Sequence, residues 1–194
     1  MTTPVDLQDR TLVAVGAPKV TGAFFIAPAG TTLPTDCSTA LGSAFACVGY
    51  ISDNGVVLSE EDGSQEIDAW GHTHVRIVKA TYHEVVKLQP LEYNETVLKE
   101  QYGADNVTVT TSNGVKTIAT QHTADDLPDK VGVIEVVPAD NMVTRYVFPV
   151  LRLTEKGDIT LNGRDPMGRE LTYNAERDST GTSCYEYTAI TVGE

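Results

Sequence analysis

His72-Thr73-His74 places two imidazoles at i and i+2, which on an extended chain point to one side and could ligate zinc, with His83 as a distant third. Neither a cysteine nor an acidic residue stands at a familiar ligand spacing around them, so they read as a solvated pair at a turn and strand edge. His83 falls on the wet face of its strand, and His122, beside Thr123-Ala124-Asp125-Asp126, reads as exposed loop. No metal centre is expected.

Other reactive residue types lead no further. Ser43 in Gly42-Ser43-Ala44 lacks the second glycine of a nucleophile elbow, and Lys116-Thr117 lacks the glycine-rich run of a phosphate-binding loop. Glu60-Glu61-Asp62-Gly63 falls short of a calcium-binding loop and reads as a solvated turn, as Asp125-Asp126 does. Cys37, Cys47 and Cys184 form no Cys-x-x-Cys pair and are odd in number, which supports neither a zinc ribbon nor a disulfide framework. No catalytic residue and no cofactor is expected. Trp70, the single tryptophan, is expected to be packing mass in the core.

Charge is more informative. The 194 residues carry 14 Lys and Arg against 27 Asp and Glu, a net charge of −13. The acidity is spread, with five cations against twelve acids up to Thr96 and nine against fifteen beyond. Such a surface repels phosphate, which excludes nucleic-acid binding driven by counterion release. Between Lys19 and Arg76 there is no Lys or Arg, while Asp36, Asp53, Glu60, Glu61, Asp62, Glu66 and Asp68 all fall there. That run reads as a solvated face, a surface that must not hold nucleic acid, or one that meets a basic patch on another copy. No stretch approaches the roughly 18 apolar residues of a membrane span, and Met1–Arg10 does not read as a secretory leader. No membrane insertion is expected.

The elements that must carry these residues are mostly strands. Val, Ile, Thr and Tyr recur in short runs punctuated by Asn54-Gly55, Asn113-Gly114 and Asn162-Gly163, each a hairpin signal. The central one is strongest: Val107–Thr111 and Val115–Thr120 flank a pair able to take the positive φ of a type I′ turn. Val78–Leu88 alternates with period two, and the opposite phase of Val75 and Ile77 predicts a bulge near Ile77 and Val78. Met142–Leu153 reads as a strand whose Pro149 marks an edge or a bulge. Arg169–Arg177 alternates with Leu171, Tyr173 and Ala175 inward, and Cys184–Val192 is the last strand.

One helix is predicted over 94–103. Asn94 caps it, Tyr93 and Leu98 stand at staple positions, Val97, Leu98 and Tyr102 form an apolar stripe, and Gly103 closes it in a left-handed conformation. Two turns are marginal alone, so Leu98 and Tyr102 must dock on a sheet. Residues 1–20 read as an N-terminal arm ahead of one domain over 21–194, with long loops at 27–46 and 58–70. Such extensions cost ordering entropy, which points to either disorder or a neighbouring subunit for them to rest on.

Gly49-Tyr50-Ile51-Ser52-Asp53-Asn54-Gly55-Val56, then Ala69-Trp70-Gly71, Val75-Arg76, Leu91-Glu92, Asn94, Val97-Leu98 and Tyr102-Gly103 resemble, in that order, the major tail proteins of bacteriophages with long non-contractile tails. The likeness runs from about Gly22 to Gly103 and resumes weakly near Arg169 to Tyr187. It implies an antiparallel β-sandwich or barrel with one short flanking helix, six copies to a ring, and rings stacked into the tube that delivers the genome. It implies a tape-measure protein, a tail tip and a tail terminator as partners, assembly in the host cytoplasm, and a place in the virion tail. It also implies contacts between rings through 58–70 and the arm, which makes Glu60, Glu61, Asp62, Glu66 and Asp68 the candidates for the lumen or ring contacts. The alternative is an adhesion or carbohydrate-binding sandwich using Tyr185 and Tyr187, which share a strand face; a hydrolase built on His72 and His74 is a third reading.

Overall fold

The computed structural model describes residues 13–19, 22–139 and 141–191. These fold as ten strands and one α-helix: β1 (Phe24–Pro28), β2 (Ala46–Cys47), β3 (Ile51–Ala69), β4 (Thr73–Pro90), α1 (Glu95–Tyr102), β5 (Val107–Ser112), β6 (Val115–Thr120), β7 (Lys130–Ala139), β8 (Met142–Lys156), β9 (Leu171–Glu176) and β10 (Tyr185–Ile190). The strands form one eight-stranded antiparallel sheet in the order β2-β1-β7-β8-β9-β4-β3, with β10 also on β8, and a separate β5–β6 hairpin. The fold is mainly β and sandwich-like, with one short helix.

β8 is the pivot. Its first half, Met142–Val147, pairs with β10 and its second half, Val150–Lys156, with β9, so the sheet divides at Pro149. Across β7, Gly132 faces Phe148 and Lys130 faces Leu151, which leaves a bulge at the same place. A residue with no N–H donor fits a position where the ladder is already interrupted. Pro149 therefore marks a bulge inside a central strand, not an edge.

Around this pivot the apolar faces converge on Phe24, Ile26, Val86, Leu88, Phe148, Leu151, Leu171 and Tyr173, all buried. The alternation of β9 holds, with Leu171, Tyr173 and Ala175 inward. β10 forms the last strand, alternating half-buried and exposed only as far as Thr188; Val192 lies outside the described residues.

The Asn113-Gly114 hairpin forms as its turn chemistry dictates, with φ of 51° and 77° at the two residues. The other two Asn-Gly pairs turn no hairpin. Asn54-Gly55 sits inside β3, where 52–55 bulge out between the Ile51–Pro90 and Val56–Leu88 pairs. At Asn162 the side chain accepts from the N–H groups of Arg164 and Asp165 (2.8 and 2.7 Å), closing a local turn in a loop.

In α1 the Asn94 side chain accepts from the Val97 N–H at 2.9 Å and donates to the Val48 carbonyl at 3.1 Å, so the cap also ties the helix to the sheet. Tyr93 is exposed. Gly103 ends the helix at φ 90°, ψ 145°, an extended region essentially reserved for glycine and not the left-handed helical one. Val97 enters the main core, whereas Leu98 and Tyr102 pack with Val107, Val109 and Ile118 of the β5–β6 hairpin. Burying a side chain the size of Leu98 contributes about 1.5–3 kcal/mol, which supplies what two helical turns lack.

Of the expected N-terminal arm, residues 1–12 and 20 lie outside the described residues. Val15 donates to the Pro138 carbonyl (2.7 Å), Val137 to Ala17 (2.8 Å) and Lys19 to Glu135 (3.3 Å), so 15–19 run along β7. Residues 29–45 form the long loop between β1 and β2.

Candidate functional site

The segment expected as a loop over 58–70 is strand. β3 and β4 form one long hairpin whose base belongs to the sheet, since β4 pairs β9 from Glu84–Ala175 to Leu88–Leu171. Beyond Glu84 the two strands pair, among the described residues, only with each other. Glu61–Ala69 at about 3.3 Å per residue gives this distal part a reach of about 30 Å. Two bulges interrupt it on the β4 side. Gly63 faces Thr81 while Ser64 faces Lys79, leaving Ala80 unpaired; Ile67 faces Arg76 while Asp68 faces His74, leaving Val75 unpaired. These two irregularities flank Ile77 and Val78, where a single bulge was expected.

Trp70 stands at the turn of this hairpin and is fully exposed, which overturns its expected place in the core. Gly71 and His72 complete the turn, both at positive φ (99° and 63°). Val57, Leu58, Ile67, Val75 and Ile77 along the hairpin are also exposed. The hairpin thus presents apolar surface that the other described residues do not cover.

The acids are sorted by strand alternation. Val56 and Leu58, opposite buried Leu88 and Val86, belong to the core-side face. Continuing by twos, Glu60, Asp62, Glu66 and Asp68 extend that face beyond the core, and Glu61 alone falls on the other, opposite His83. All five are exposed. Asp62 pairs with Lys79, whose ammonium also lies 4.4 Å from the centre of the Tyr82 ring. His74 Nδ1 lies 3.5 Å from Asp68 Oδ1 and 4.0 Å from Glu66 Oε2. The imidazole that sequence spacing coupled to His72 is thus set among carboxylates across the hairpin. These three groups offer ligand atoms within 4.8 Å of one another, fully open to water, an arrangement common on acidic surfaces without any ion.

The other sequence candidates lie elsewhere. Leu98 and Tyr102 are buried, and the Tyr102 ring stacks on His122 at 4.1 Å with the Arg169 guanidinium 5.0 Å from its centre. Tyr185 and Tyr187 do share a face, with parallel rings 6.5 Å apart, but both are half-buried and the Tyr185 hydroxyl donates to Asp178 at 2.7 Å.

Three buried charged side chains have no counterpart in the sequence reading. Glu135 and Arg145 are cross-strand neighbours on β7 and β8, 3% and 1% exposed. The signal was a single charge inside each of two apolar runs, Val133-Ile134-Glu135-Val136-Val137 and Arg145-Tyr146-Val147-Phe148. Glu100, on the buried side of α1, has the Lys130 ammonium at 3.8 Å, too far for a hydrogen bond. Burial pushes its carboxyl up to about 7, against the opposing pull of Lys130.

The site is thus a long, self-paired, partly apolar projection from a mainly β subunit. The sequence matches the phage tail tube protein family over residues 9–189, and the chain belongs to that family. Its general role is structural, as a tube-forming component of the virion tail. Among curated proteins none matches the chain.

Proposed function

We propose that the chain is the major tail tube subunit of a phage with a long non-contractile tail, assembling into stacked, hexameric rings that form the conduit for genome delivery. The reading treats 21–194 as one tail-tube domain following an N-terminal arm. One observation supports it: the β3–β4 hairpin extends about 30 Å beyond the sheet, pairs only with itself among the described residues and ends in an exposed tryptophan. Ordering such an element costs about 1–2 kcal/mol per residue in backbone entropy, and a second copy covering its apolar residues would offset that. A projection that meets a different surface on an identical neighbour makes a head-to-tail contact, the kind that closes rings or extends as filaments.

In this reading Glu60, Asp62, Glu66 and Asp68 act as one acidic surface at the lumen or between rings, and Glu61 faces a different neighbour. DNA in transit must not be held, because every Lys–phosphate contact would have to be broken again. An acidic wall repels the duplex over about 8 Å at physiological salt, which matters only in a narrow channel. The partners are further copies of the chain, a tape-measure protein, the tail tip and the terminator, with assembly in the host cytoplasm.

Negative-stain electron microscopy of the purified chain, with and without isolated tail tips, tests this. Rings or tubes of uniform width support it; a monodisperse monomer at high concentration in the presence of tips contradicts it.

A further inference from the structure

Glu135 is held from two directions. Its Oε1 accepts from Arg145, with Nε at 2.9 Å and Nη2 closer still, while its Oε2 meets the Lys19 ammonium at 3.0 Å. Arg145 spends its remaining donors on the long loop between β1 and β2: Nη1 donates to the Asp36 carbonyl (2.6 Å) and Nη2 to the Thr39 carbonyl (2.8 Å). The loop is shaped to offer those carbonyls, because the Asp36 side chain accepts from the Ser38 N–H (2.7 Å) and from Thr39, folding 36–39 into a turn over buried Cys37.

One buried carboxylate therefore joins two segments distant in sequence. Lys19 belongs to the N-terminal segment, which crosses Glu135 on the edge of β7 and is fastened there by a few backbone bonds at 15–19. Its side chain is one-third exposed, and it lies on the carboxylate that orients the loop's own anchor. Lifting the segment would remove one partner from Glu135 and admit water to an ion pair whose strength depends on being dry.

We propose that Glu135 couples the N-terminal segment to the 29–45 loop, so that capture of the segment by a second copy loosens the loop at the same time. Lys19 and Glu135 act as positioning residues for a surface they do not themselves form. The use of the coupling in assembly rests on the tube reading, but the coupling itself is a property of the single chain.

Hydrogen exchange on the unassembled full-length chain tests it without requiring tubes. Lys19→Met is expected to speed exchange in peptides covering 36–45 by about fivefold or more, the lower end of typical coupling between sites, with β9 peptides unchanged. Lys19→Arg, which keeps the cation, should restore slow exchange, and Lys79→Met, which removes an ion pair on the hairpin, should leave 36–45 as in the parent chain. Acceleration confined to the segment around residue 19, or spread equally over β9, overturns the coupling. Failure to form tubes with the exchange result intact would overturn only the assembly reading.

Discussion

Glu135 and Arg145 stand directly opposite each other on β7 and β8, and the guanidinium that neutralises the carboxylate also carries the carbonyls of Asp36 and Thr39. A buried pair of this kind is costly to break from one side, because the surviving Glu135 keeps its desolvation penalty and is left only the part-exposed Lys19. Arg145→Met is expected to destabilise the chain by about 3–5 kcal/mol in denaturant titrations. The double variant Glu135→Leu with Arg145→Met should lose clearly less, since it strands no charge on either strand.

Glu100 makes stability depend on pH in the direction opposite to an ordinary surface carboxylate. Its carboxyl is raised from 4.5 to about 7 by burial, so the unfolded chain gives up this proton before the folded one does. The stability it contributes is fully present below about pH 4.5 and is lost as pH rises through about 7. The loss amounts to about 3 kcal/mol. Glu100→Gln should therefore be more stable than the parent chain at pH 8 and close to it at pH 4, as measured by chemical denaturation across that range.

The local elements were legible because their signals are local. Asn113-Gly114 needs only its own two residues to specify a turn, and Asn94 to Gly103 carries its cap, stripe and stop within ten positions. Leu171, Tyr173 and Ala175 alternate because one face of β9 is buried. The distal hairpin has no such face. Glu60 to Ala69 is exposed on both sides apart from half-buried Gly63, so nothing imposes a period-two pattern, and an acid-rich strand reads as loop. Trp70 departs from its expected place for a related reason: a lone tryptophan is ordinarily covered by its own chain, and here the other described residues leave it bare. Asn54-Gly55 and Asn162-Gly163 carry turn chemistry that is spent on a bulge and a side-chain-closed loop, a choice made by long-range pairing that two residues cannot report.

The sorting of acids onto two faces leads to a charge-reversal experiment. Lysine at Glu60, Asp62, Glu66 and Asp68 together should leave the fold intact, because all four are exposed and their substitution touches no core residue. Tubes assembled from that variant should retain DNA at low salt and release it as salt rises, whereas parental tubes retain none. Reversal of Glu61 alone, on the opposite face, should not produce DNA retention. Pull-down of tubes with labelled duplex at several salt concentrations reads both outcomes.

Trp70 is the only tryptophan in the chain, so its fluorescence reports on the hairpin tip and nothing else. If the hairpin is a contact between copies, subunits moving from the dispersed state into sedimentable tubes will show emission shifted to the blue and protected from iodide. Trp70→Ala will melt like the parent chain while assembling poorly. Tubes of full length in which the tryptophan stays as open to iodide as in the free subunit would contradict the account.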